Sequence, residues 1–161
     1  MRSTNRSWLQ APLLLAPLLL VLTGCAQAVA LDPADDAADP ACAEVSVRLP
    51  ELVSDLPSRE TNAQATGAWG ETTSGVILRC GVPSPDPTAT LPCVTVDGID
   101  WLRDDTDAPY FVFTTYGRSP AVEVVVDSET ASARAALTDL SGAVGTLPSD
   151  GGECVALEDT L

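Results

Sequence analysis

The sequence predicts an α+β domain: an antiparallel sheet of about four to five strands, an N-terminal and a C-terminal helix packed on one face, and two disulfides stapling them. Three observations carry this. Apolar residues recur at helical spacing near the two ends of the domain, at Cys42, Val45 and Leu49 and again at Ala133, Ala136, Leu137 and Leu140. Between them "GVILRC" at 75–80, "YFVFTTY" at 110–116 and "AVEVVV" at 121–126 read as half-buried strands. Four cysteines, Cys42, Cys80, Cys93 and Cys154, stand at spacings unlike a zinc pattern, and an even count reads as two disulfides in an oxidising compartment.

A fifth cysteine has a different reading. The opening "MRSTNRSWLQ" carries Arg2 and Arg6 and no acid, and "APLLLAPLLLV" follows as an apolar core too short for a comfortable membrane span. Directly after it, "LTGC" at 22–25 closely resembles the bacterial lipobox, which implies cleavage before Cys25 and diacylation of its thiol. "AQAVA" at 26–30 offers ordinary secretion as the competing reading. Residues 1–24 are therefore expected to be a lipoprotein signal peptide, and Cys25 the lipidated residue.

Residues 25–40 are expected to form a flexible Ala/Asp/Pro tether, extending to about 50 Å, because this composition buries too little apolar surface to offset ordering. Residues 41–161 form the single domain. Asp39 is placed to cap its first helix with Pro40 at the first helical position. Pro50 closes that helix, and "PELV" is a candidate for a second short one. Residues 54–74 read as loop apart from "AWG". In the strand "GVILRC", Val76, Leu78 and Cys80 share one face, with Ile77 and Arg79 on the other. "CGVPSPDPTATLPC" has four prolines and reads as a loop, and Asp97-Gly98 within "CVTVDGIDWLR" marks a hairpin. Val122, Val124 and Val126 face one way and Glu123 the other. Asp127-Ser128 is expected to cap the last helix, and Gly142 or Gly145 to end it. Four cysteines allow three pairings. Placement on the elements favours Cys42 with Cys80, helix to strand, and Cys93 with Cys154, tail to sheet, each worth about 4 kcal/mol by loop closure.

The lipobox, Cys42 ahead of "RLPEL", "GAWG" at 67–70, "VILRCGV" at 76–82, "VDGIDW" at 96–101 and "YGRSPAVEVVV" at 116–126 together resemble domain-of-unknown-function family 3515. The family comprises small exported or lipid-anchored proteins of high-GC Gram-positive bacteria. The likeness covers most of the chain from Cys42 to about Leu140. It implies an extracytoplasmic location and a fold, and supplies no mechanism.

The chemistry is bounded mainly by what the chain lacks. Eight basic residues, all arginine, face 23 acidic ones, for a net charge of -15. Such a surface repels phosphate, so nucleic acid is not an expected partner. Without histidine or lysine, Ser-His-Asp, Cys-His and Ser-Lys arrangements are excluded, and no P-loop or GxSxG occurs. Paired carboxylates on peptidoglycan remain as the alternative, Asp100 beside Trp101 with Asp104, Asp105 and Asp107 being the tempting group. The same aspartates suggest a calcium module, although "DDTDAP" lacks the glycine and the terminal glutamate of an EF-hand loop. Arg118 in a turn, with Arg79, can present a fork to an anion, and Trp69 and Trp101 can wall such a pocket. The competing reading makes the tryptophans core and the arginines partners of surface acids.

The sequence thus points to a non-catalytic lipoprotein on the outer face of the bacterial cell membrane, held there through Cys25. It is expected to bind an envelope protein or cell-wall component, and to need no cofactor or metal.

Overall fold

A computed structural model of the protein describes residues 27–71, 75–87 and 90–155. Helix α1 (Pro40–Ser46) starts where expected: the Asp39 carboxylate accepts from the Ala41 amide at 2.7 Å, with Pro40 in the first turn. Its face of Cys42 and Val45 is fully buried.

The next segment departs from expectation. "PELV" forms no helix, and the described part of the stretch read as loop, residues 54–71, contains strands. The chain instead folds into β1 (Leu52–Val53), β2 (Leu56–Arg59) and β3 (Thr66–Trp69). These strands are two to four residues long, and β2 reads "LPSR", with Pro57 and Ser58 exposed. A strand so short and so polar shows no period-2 apolar pattern. It exists because its backbone has a neighbour to pair with. The β1–β2 turn places Ser54 and Asp55 at φ 51 and 63, a left-handed pair in which no glycine announces the hairpin.

From β4 (Val76–Val82) onward the strands follow the pattern. Strands β5 (Cys93–Val96) and β6 (Ile99–Asp104) are joined by Asp97-Gly98, both at positive φ, and β7 (Tyr110–Tyr116) pairs with β8 (Ala121–Asp127). Helix α2 (Ala133–Val144) starts later than Asp127-Ser128. Its cap is Ser132, whose hydroxyl accepts from the Ala135 amide, and it ends at Gly145.

All eight strands form one antiparallel sheet, ordered β1-β2-β3-β4-β8-β7-β6-β5. The expectation of four to five strands is therefore corrected to eight. The sheet is two four-stranded meanders placed side by side, β4 pairing with β8 and the proline-rich loop carrying the chain to the far edge. Both helices lie on one face. Leu137 and Leu140 of α2 and Val45 of α1 join Leu78, Val124, Phe113 and Trp101 in one core. The disulfides join Cys42 to Cys80 and Cys93 to Cys154, with Cα separations of 5.5 and 5.6 Å.

Two terminal segments act as straps. Residues 27–38, read from composition as part of a flexible tether, are docked. Val29 bridges to Thr61, its amide donating to the Glu60 carbonyl at 2.8 Å, while the Leu31 amide reaches the Asn62 side chain at 2.7 Å. Farther along, the Asp36 amide donates to the Gly81 carbonyl at 3.0 Å and Ala37 is buried. Backbone partners fix this segment, and composition carries no trace of them. At the other end, Ser119 donates to the Pro148 carbonyl and Asp150 to the Gly117 carbonyl, and Cys154 closes the strap onto β5.

Candidate functional site

The arginines and tryptophans singled out from sequence do not converge. Arg79 sits on the face away from the helices and binds Glu123 of β8, its cross-strand partner, at 2.6 Å. Arg118 turns inward, Nη1 donating to the Leu147 carbonyl at 2.6 Å while its own carbonyl accepts from Ser84 at 2.8 Å. It fastens the C-terminal strap. Trp69 is 3 % exposed, with Nε1 donating to the Pro50 carbonyl at 2.9 Å. Trp101 is wholly buried in the core, and its Nε1 has no hydrogen-bond partner among the described residues. Three strands separate β3 from β6, about 19 Å across the sheet, so the two indoles wall no common pocket.

The aspartates are engaged locally. Asp100 accepts from the Thr95 hydroxyl and from the Cys154 amide at 2.7 Å, anchoring the C-terminal strap. Asp104 accepts from the hydroxyl and the amide of Thr106, and those two hydrogen bonds hold its exposed carboxyl below the ordinary value. Asp105 is paired with Arg103. Among the described residues no group of three acids or cysteines is placed to hold a metal ion. Cys25 lies outside the described residues.

What the structure does assemble is a groove of about 490 Å³ on the sheet face away from the helices, between the sheet and the N-terminal strap. One wall is the strap itself, Gln27 to Leu31. The floor is Ala68, Ile77 and Val125, which the strand register sets side by side across β3, β4 and β8. Tyr110, 44 % exposed, and the buried Trp69 also line it. One cation and one anion complete it: Arg59, level with Ala68 on β2, and Asp127, whose carboxylate accepts from the Glu129 amide at 3.0 Å. A second, shallower recess of about 280 Å³ lies beside Leu49, Pro50 and Thr66.

Sequence reasoning missed this groove, yet two residues signalled it. Ile77 and Val125 are apolar on the face where alternation calls for polar groups, among Arg79 and Glu123. An apolar residue out of phase in a strand means that something covers that face. Here the cover is the docked strap.

A family model described as Protein of unknown function (DUF3515) matches residues 14–151. The chain belongs to this family. No curated protein and no solved structure matches it. In this DUF3515 chain the matched span includes every residue of the groove and three of the four disulfide cysteines, Cys154 falling just beyond it. Among the described residues no helix is long and apolar enough to cross a membrane.

Proposed function

We propose that this DUF3515 protein is a non-catalytic lipoprotein of the cell envelope. It is anchored through Cys25 to the outer face of the cell membrane and works by binding rather than by chemistry. On this reading the Cys25 sulfur takes a diacylglyceryl group from a membrane phospholipid. A thioether forms as the phosphate head group leaves with the thiol proton, and hydrolysis of the Gly24–Cys25 bond frees the leader. The two disulfides support an oxidising compartment. The observation that carries the binding role is the preformed apolar groove beside the strap that leads back to Cys25. Asp100 accepts from Thr95 and Cys154, Asp104 from Thr106, and Asp105 pairs with Arg103, and none of the three lines the groove.

Fractionation with mass spectrometry tests the anchor. The wild-type N-terminal peptide, isolated from membranes, should start at Cys25 and carry the diacylglyceryl mass, and Cys25→Ala should shift the protein to the medium. Crosslinking in cells tests the binding. An envelope protein or glycan recovered with the wild type, and lost when Ile77→Glu is introduced in the groove, is the expected outcome; recovery unchanged by that substitution overturns the groove as the binding site.

A further inference from the structure

The docked strap changes what a lipid on Cys25 can reach. A free tether would let the domain roam about 50 Å from its anchor. Instead the chain is pinned at Val29 and Leu31, leaving three residues between Cys25 and the first pinned amide, about 14 Å of chain at full extension. Gln27, two residues after Cys25, already forms part of the groove wall. The groove is therefore the first apolar surface of the domain that anything attached to Cys25 meets.

Its chemistry suits a hydrocarbon chain. Ala68, Ile77 and Val125 give a floor without hydrogen-bonding side chains, and Ala28 to Leu31 give an apolar wall. In a chain of net charge -15, this groove is lined by one cation and one anion, Arg59 and Asp127, so its charges balance. A local balance of this kind favours neither an anionic nor a cationic occupant. Its volume of about 490 Å³ falls within the range of small-ligand sites. Hydrocarbon is shielded from water in the groove as in a bilayer, so moving a chain between them costs little hydrophobic free energy. The short link holds that chain at high effective concentration, which an untethered lipid lacks.

We infer that the groove holds one acyl chain of the lipid carried on Cys25 itself, drawing the domain against the membrane with its strap side down. The inference rests on the lipidation proposed above, and it makes the acyl chain and an envelope partner alternative occupants of the one groove.

Metabolic labelling with a diazirine fatty acid tests both separately in the full-length protein, in cells. After irradiation and digestion, the expected product is a crosslink from the acylated Cys25 peptide to the peptide holding Ile77 or Val125. Filling the groove with Val125→Phe should lower its yield at least tenfold. Val112→Phe, on the same face but outside the groove, should leave it unchanged, and retention of both disulfides in each variant shows that the fold survives. Crosslinks joining the groove peptides to free phospholipid, and not to the Cys25 peptide, overturn the inference in favour of a bilayer lipid. A labelled Cys25 peptide with no crosslink to the groove overturns it outright. A Cys25 peptide carrying no label at all overturns the lipidation reading first, and the inference with it.

Discussion

The two straps solve one problem in different ways. Each meets a glycine in the left-handed region, the N-terminal strap at Gly81 in β4 and the C-terminal strap at Gly117 in the β7–β8 turn. Gly81 has φ +98, and a Cβ there would stand 2.4 Å from the Asp36 carbonyl carbon. Gly117 has φ +75, and a Cβ would stand 1.8 Å from the Gly152 oxygen. At both points backbone meets backbone closely enough to exclude any side chain. The locks differ. The C-terminal strap is fixed at both ends, by α2 behind it and by Cys93–Cys154 near its tip. The N-terminal strap is locked only at its inner end, where α1 is tied to β4 through Cys42–Cys80, and its outer end leads back to Cys25 held by hydrogen bonds alone. The strap that covers the groove is thus the one whose outer end has no covalent lock on the sheet.

The first way to break this comparison is to remove the inner lock. Cys42→Ser with Cys80→Ser opens a loop with a sequence separation of 38, costing about 4 kcal/mol by loop closure. It also places two hydroxyls in a site of zero exposure, adding about 1–3 kcal/mol for each left unpaired. Urea unfolding should show a chain that is largely unfolded without denaturant. Cys93→Ser with Cys154→Ser opens a similar loop, separation 61, again about 4 kcal/mol in the entropic limit. These cysteines are half-buried, so no comparable hydroxyl penalty follows. The folded fraction should survive, with the Asp150 and Cys154 amides exchanging faster. Equal losses for the two pairs would show that burial does not distinguish the locks.

Gly81→Ala sharpens the contrast from the strap's side. Strain at φ +98 and the contact with Asp36 should cost about 1–3 kcal/mol. Amide exchange should accelerate at Val29, Leu31 and Asp36 while Asp150 stays protected. Ser132→Ala provides a control outside both straps. Losing the α2 cap should cost about 1 kcal/mol and leave strap exchange unchanged. The smallest effect is expected at Asp104, which belongs to neither strap. Its carboxyl is held below the ordinary carboxylate range by the hydroxyl and amide of Thr106, so this turn contributes stability above that range and loses it as pH falls through the lowered native value. The Thr106 amide shift, followed by NMR, should titrate with Asp104, below the ordinary carboxylate range.

Legibility from sequence followed the strength of local pattern. Strands β4, β7 and β8 and helix α2 carry long apolar faces, and their existence could be read directly. The Asp97-Gly98 hairpin was legible because its residues tolerate positive φ, whereas Ser54-Asp55 makes the same excursion without a glycine to mark it. Leu52 to Trp69 had no such pattern: these residues are strands because β4 offers an edge and each short strand then offers the next one. The candidate pocket of Arg118, Arg79, Trp69 and Trp101 looked plausible because residue type says nothing of distance. Only the register places Arg79 against Glu123 and sets three strands between the indoles.

By itself the sequence determined the helices at the two ends of the domain, the central strands, the cysteines available to staple them and the family resemblance. Those properties depend on residues near one another in the chain or on residue type. Tertiary structure decided that the sheet has eight strands, that residues 27–38 lie docked, and that Ile77 and Val125 floor a groove. Each of these depends on backbone groups and faces whose partners lie far away in sequence, and a hydrogen bond from Asp36 to Gly81 leaves no mark on the residues that make it.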